Sequence, residues 1–166
     1  MLFEKIVMGS TISVVILFWW AIVFSINRKE IIKVKKLNKD AVVPKQMTDG
    51  AAGYDLTAIT MKTSPILNYV EYGTGLAFQI PKGHVGLLFQ RSSVSNMDMS
   101  LSNAVGVLDS DFTGEVTFRY RQSGPNIYKV GDRIGQLVVV PLSNMEMIEV
   151  DELDKTQRGE GGYGST

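Results

Sequence analysis

The sequence predicts an all-β domain of jelly-roll or distorted β-barrel type, preceded by one N-terminal transmembrane α-helix. Three observations carry that expectation. Behind Glu30, short runs rich in β-branched residues recur at even spacing, each closed by Gly, Pro, Asn or Asp. Helical periodicity is nearly absent over the same stretch. The N-terminus, by contrast, is a long apolar run without charge. Evenly spaced short strands punctuated by turn residues are the pattern of sandwiches, jelly rolls and barrels, whereas a continuous uncharged stretch suits a bilayer.

The anchor comes first in the chain. From Ile6 to Ile26 no residue is charged, and as a helix rising about 1.5 Å per residue this stretch spans roughly the 30 Å of a bilayer core. A cleaved signal peptide is the rival reading. Its usual apolar region is only ~7–15 residues long, whereas here the run is longer, Lys5 stands against Glu4, and no A-x-A-like site follows. A mis-assigned gene start is a third reading, and no methionine near position 30 offers a shorter start. Arg28, Lys29, Lys33, Lys35, Lys36 and Lys39 follow the span, so the positive-inside rule places the remainder in the cytoplasm of a single-pass, membrane-anchored protein. Residues 1–28 are therefore assigned to the anchor and its flanks.

Strands are expected at Ile31–Leu37, Tyr54–Ala58, Leu76–Ile80, Val85–Phe89, Ala104–Leu108, Glu115–Arg121, Arg133–Val140 and Met145–Val150. Pro81-Lys82-Gly83 suits a tight turn, Asp109 to Gly114 a hairpin tip, and Gly131-Asp132 a turn just before an apolar strand. Ser92 to about Met99 is the one soluble stretch that reads as helical, because two serines open it as good N-caps. Arg91, Ser92 and Ser93 would then stand at a helix N-terminus, a ready anion site. The domain proper covers residues 29–156, and 157–166 form a Gly-rich arm.

At 166 residues the chain is sized for one compact domain plus its anchor. Lys plus Arg and Asp plus Glu both number 17, so no basic face is expected for nucleic acid. A small anionic ligand needs only a local cluster of cations. With no cysteine and one histidine, a disulfide framework, a thiol nucleophile and a histidine-based metal site are excluded. That histidine, His84, falls in the Pro81 turn and reads as a solvated turn residue.

The arm Arg158-Gly159-Glu160-Gly161-Gly162-Tyr163-Gly164-Ser165-Thr166 cannot build a core, since glycine loses the most backbone entropy on ordering and brings nothing to bury. A frayed terminus is the plain reading of such a tail. It is also suited to closing over a ligand, with backbone N–H groups and an arginine fork for phosphate oxygens and an aromatic face for a base. Upstream, Asp55 reads either as a turn-capping strand-end residue or as a metal-holding carboxylate. Asp109 and Asp111 share one tip, and each could be a turn-forming residue or a general base.

Five segments stand out together: Ala52-Gly53-Tyr54-Asp55-Leu56, Arg91-Ser92-Ser93, Asn103 to Glu115, Gly131-Asp132-Arg133-Ile134-Gly135-Gln136-Leu137, and the arm from Arg158. In this order and spacing they resemble the five motifs of the homotrimeric dUTPase family, over about residues 30–166. The third and fifth are the specific ones. The resemblance implies a jelly-roll subunit in a three-fold trimer, each active site built from three chains, hydrolysing dUTP to dUMP and pyrophosphate with Mg2+. Asp55 matches the carboxylate that holds magnesium through water. Asp109 matches the residue that activates the attacking water, in preference to Asp111. Arg91, Ser92, Ser93, Gln136, Arg158, Gly164, Ser165 and Thr166 match phosphate-binding positions. Asn103 with the main chain of Gly106, Val107 and Leu108 matches the uracil-reading hairpin, Thr117 belongs to the same substrate-binding set, and Tyr163 would stack on the base.

Three positions depart from the pattern. Phe112 stands where tyrosine is usual, Tyr163 where phenylalanine is usual, and Gln90 where a proline commonly precedes the arginine. Phe112 keeps the ring expected under the deoxyribose and loses only a hydroxyl. Gln90 puts the rigidity of its loop in question. Two other functions compete: a dCTP deaminase-related enzyme, for which no glutamate can be matched, and a non-catalytic nucleotide-binding regulator on the same scaffold.

Overall fold

The computed structural model describes residues 29–64 and 66–164. The expected span 6–26 lies outside them, as do Ser165 and Thr166. Among the described residues no helix is long and apolar enough to cross a membrane.

Among the described residues ten strands follow in order: β1 Lys33–Lys36, β2 Tyr54–Thr57, β3 Thr60–Ser64, β4 Tyr69–Gly73, β5 Leu76–Gln79, β6 His84–Phe89, β7 Met99–Leu101, β8 Gly106–Leu108, β9 Thr117–Gln122 and β10 Arg133–Pro141. They form two four-stranded sheets, ordered β2-β10-β6-β8 and β3-β4-β9-β7, with a separate β1-β5 ribbon. Every pairing is antiparallel. The expected all-β jelly-roll architecture is the one observed.

The inner faces follow from period-two alternation. Phe118 and Tyr120 point inward from β9, Val70 and Tyr72 from β4, Ile134 and Leu137 from β10, all essentially buried. The two sheets meet closely where Gly135 of β10 lies against the Phe118 ring. Burial of tyrosines demands partners for their hydroxyls. Tyr72 Oη donates to the Tyr128 carbonyl at 2.8 Å, and Tyr120 Oη donates to the Ile134 carbonyl. Burial, helped by the charge of Asp132 and by Tyr128, pushes the Tyr72 phenol up to about 12. Burial likewise raises that of Tyr120.

Three strands escape the sequence reading. β3 is exposed at every position except Ser64, so it has no buried apolar alternation to detect; β4 does alternate, burying Val70 and Tyr72, but over only five residues. β7 has only three residues. The expected strand Met145–Val150 does not form: Met145, Met147, Ile148 and Val150 are exposed in a run without regular secondary structure or a ladder partner among the described residues. The helix expected from Ser92 is instead a short 3-10 turn, Ser92–Asn96, with no side-chain cap bond at Arg91. With no residue fully buried and only Val94 packed partly against the core, the segment has little packing to extend it. The anion site expected from a helix N-terminus therefore does not exist, and any anion binding there rests on the side chains.

Candidate active site

Strand β2 and strand β10 run side by side with Asp55 opposite Gln136, so the two side chains share one face. Arg91, just beyond β6, reaches across and donates its Nε–H to Asp55 Oδ1 at 3.1 Å. Arg133 donates from Nη1 to the other oxygen, Oδ2, at 2.9 Å. The carboxylate is the most enclosed member, its side chain 13% exposed against 26% for Arg91 and 43% for Arg133. Two guanidinium charges against one carboxylate leave the cluster with a net positive charge, as a polyphosphate site requires.

Neighbouring donors complete this patch. Arg91 Nη1 lies 3.5 Å from Ser93 Oγ, which is 3.2 Å from the Tyr128 hydroxyl. The tyrosine core thus backs the site directly. Gln136 Nε2 donates to the Gln90 carbonyl at 3.3 Å, and Gln90 Oε1 accepts the Leu101 N–H at 3.3 Å. Gln90 thereby ties its loop to β7, a restraint that the proline expected at this position could not supply by a side-chain hydrogen bond. Gly53 lets Gln136 approach the strand closely: a Cβ would lie 2.6 Å from its Oε1 and would displace that side chain. Ser92 is exposed beside the cluster.

The second patch is the hairpin before Asp109. Ala104 turns the chain with φ +57°, and Gly106 lies against Leu88 so closely that a Cβ would be 3.0 Å from that residue's Cβ. β8 is the edge of its sheet, so one row of main-chain groups from Gly106, Val107 and Leu108 has no strand partner. A cavity of about 320 Å³ opens here, lined by Asn103, Gly106 and Thr117 with Leu88, Phe118 and Arg119. That falls at the low end of the ~300–1,000 Å³ typical of ligand pockets.

Asp109 begins the next tip, its carbonyl accepting from the Phe112 N–H at 3.2 Å. Asp109 and Asp111 are both exposed and line one open cavity with Lys82, His84, Ser110 and Leu142. Phe112 is 44% exposed, and its ring covers the Gly114 backbone, where a Cβ would meet Cζ at 2.7 Å. His84 opens β6 from the Pro81 turn, whose Gly83 has φ +78°. The arm forms a fourth group. Arg158 Nε donates to the Gly161 carbonyl at 2.8 Å, and Tyr163 stands fully in solvent.

Among the described residues the structure thus unites Asp55, Arg91, Ser93 and Gln136, gathers Asn103, Gly106 and Thr117 around a second cavity with Asp109 directly after the same β8 strand, and gives Arg158 and Tyr163 no hydrogen bond to either group. Between the first two, Gln90 is the link: its carbonyl accepts from Gln136, and its Oε1 accepts the N–H of Leu101, which lines the hairpin cavity. Arg133 is the member that sequence reasoning missed. Strict alternation along β10 puts it on the face opposite Gln136, and only a register shift between Arg133 and Gly135 brings it round.

The sequence model of the dUTPase family matches residues 39–166. A deoxyuridine 5'-triphosphate nucleotidohydrolase of Desulfitobacterium hafniense is 40% identical over 146 residues, covering 81% of this chain and 95% of that protein. One from Corynebacterium glutamicum is 38% identical over 139 residues, covering 81% and 93%. Among solved structures, a mutant of the Staphylococcus bacteriophage 80alpha dUTPase with dUpNHpp superposes with TM-score 0.72 at 26% identity, covering 82% of this chain and 98% of that one.

Proposed function

This chain belongs to the dUTPase family, and from that premise we propose how its residues divide the hydrolysis of dUTP to dUMP and pyrophosphate. The edge of β8 and the Asn103 side chain take the uracil, through fixed donors and acceptors that a mismatched base leaves unpaired. The Phe112 ring packs under the deoxyribose. Arg91, Ser92, Ser93 and Gln136 take the phosphates, and the arm closes with Arg158, Gly164 and Ser165 on phosphate oxygens and Tyr163 over the base. Asp109 accepts a proton from the water that attacks the α-phosphorus. As the new O–P bond forms, the bond to the bridging oxygen breaks and pyrophosphate leaves with its electron pair.

dUTPases use Mg2+, which when bound offsets triphosphate charge. The residues around Asp55 fit a water-mediated hold. Each carboxylate oxygen accepts one guanidinium N–H and keeps a further lone pair for a metal-bound water. Among the described residues no three acidic or histidine side chains gather into a metal cage, which suits an ion that keeps its waters.

The observation that carries the uracil reading is the cavity lined by Asn103, Gly106 and Thr117 at the start of the edge strand β8. The decisive experiment incubates the full chain with dUTP, dCTP or UTP, with and without Mg2+, and measures pyrophosphate and ammonia. Mg2+-dependent pyrophosphate from dUTP alone is the expected outcome; ammonia from dCTP, or equal turnover of UTP, would overturn the assignment.

Three further parts of the reading are organisational. The domain comprises residues 29–156 and the closing arm 157–166. Three chains assemble the site, a reading supported by the separation of its patches within one chain and by the exposed apolar run after Pro141. Residues 6–26 cross a membrane, with the domain on the cytoplasmic side where dUTP is found; the family match begins only at residue 39. Carbonate washing with protease protection tests this last point, and recovery of the full-length chain in the soluble fraction would refute it.

A further inference from the structure

Gln136 and Asp55 face each other across β10 and β2, and Gly135 faces Leu56. Continued regularly, that ladder would place Ile134 opposite Thr57. Instead the register shifts, and Arg133 stands opposite Thr57. Ile134 is the inserted residue of a β-bulge. Two residues apart on one strand, Thr57 and Asp55 share a face, so the bulge moves Arg133 onto the face of Asp55. Bulges next to active sites commonly re-aim a side chain in this way. Two buried contacts hold this one in place: the Tyr120 hydroxyl donates to the Ile134 carbonyl, and the Phe118 ring lies against Gly135.

We propose that Arg133 is a positioning residue of the triphosphate site, engaging one oxygen of Asp55 so that the other holds Arg91 ready for the phosphates. The inference rests on the preceding assignment of this face to the triphosphate. Without Arg133 the carboxylate can turn toward Arg91 with both oxygens, in the bidentate pairing that arginine favours. Arg91 would then be spent on Asp55 instead of on substrate. Arg133 itself touches neither base nor sugar in this arrangement, so its removal acts on phosphate recognition alone.

The test uses the full chain in detergent and the variants Arg133→Ala and Arg133→Lys. Two affinities are measured for each, that of the α,β-imido analogue of dUTP by calorimetry with Mg2+ and that of deoxyuridine by competition. In Arg133→Ala the analogue should bind on the order of 10- to 100-fold more weakly, as for loss of a hydrogen bond to a charged group. Deoxyuridine affinity should not change, and KM should rise more than kcat falls. Arg133→Lys, keeping the charge without the fork, should recover part of the loss. Should Arg133→Ala fail to fold, Arg133→Lys carries the same comparison. Unaltered analogue affinity in the variants, or equal losses for analogue and deoxyuridine, overturns the inference. An unmodified chain that does not bind the analogue at all overturns instead the assignment on which it rests.

Discussion

Replacing Gly135 by alanine tests the packing that sets the bulge. A Cβ at this position would fall inside the van der Waals envelope of Phe118 Cε1 and Cζ, and 2.9 Å from Cδ1. The ring has little room to retreat. It is 1% exposed and stacks on Tyr120 with centroids 6.3 Å apart, while Tyr120 is itself fixed to the Ile134 carbonyl. Overpacking of a dense core costs typically ~1–3 kcal/mol, and this site belongs at the upper end because the obstacle is a locked ring. Loss of glycine's freedom in the unfolded chain returns ~0.4–1 kcal/mol. The net expectation is about 2–3 kcal/mol of destabilisation, or a fall in Tm of roughly 5–10 °C. Denaturant unfolding and thermal melting of Gly135→Ala, Phe118→Leu and the double variant measure it. Trimming the ring should relieve the clash, so the double variant should be more stable than the sum of the singles by ~0.5–3 kcal/mol. A wild-type Tm for Gly135→Ala, or strict additivity, would refute the reasoning.

Asp109→Asn should keep the shape of the tip while losing the base, lowering kcat by on the order of 10²–10⁴ with binding of the imido analogue retained; turnover at the wild-type rate would move the role to Asp111. Truncation after Thr156 removes Arg158 and Tyr163 but little buried surface, so melting should be preserved and activity largely lost, and the reverse result would contradict the role given to the arm. Alkali should destabilise the fold. Tyrosines in the unfolded chain release protons near pH 10, whereas Tyr72 in the folded protein holds its proton to about 12; the folded state then binds more protons, and stability falls as pH rises through that window. A urea midpoint that does not move between about pH 9 and pH 11 would count against this coupling.

Much of the fold was legible because its inner strands advertise themselves. β6, β9 and β10 alternate or run apolar between turn residues, and the Pro81 and Gly131 turns occur where glycine at positive φ is needed. What escaped has physical causes. β3 is exposed along most of its length, so its sequence carries no burial signal. Ser92–Asn96 opens with serines suited to capping, but no side-chain cap bond forms and no residue is fully buried, so nothing sustains a longer helix. In the site, Asp55, Arg91 and Gln136 were readable from their motifs, and the β2–β10 pairing with the reach of Arg91 brings them together. Arg133 was not, because a bulge breaks the rule by which facing is inferred from spacing. The bond from Gln90 to Leu101 was equally invisible, joining residues related only through the fold.

The unformed strand at Met145–Val150 and the separation of the catalytic patches are linked. Met145, Met147, Ile148, Val150 and Leu153 are all exposed, Met147 completely. Full burial of such a side chain contributes ~1.5–3 kcal/mol, so an arm carrying five of them has a strong drive toward an apolar partner. Its main chain also lacks a ladder: among the described residues the segment pairs with none of β1 to β10, although β2, β3, β7 and β8 are edge strands. Both needs are met if the arm crosses to another copy in the proposed homotrimer. The same crossing would carry Arg158 and Tyr163 away from their own domain to the phosphate cluster and uracil hairpin of neighbours. In that homotrimer the segment that has no partner in one chain would be the one that delivers the arm, and assembly and completion of the site would be a single event. Anchors at residues 6–26 would reinforce it, because three tethered chains share one surface and meet at a raised effective concentration.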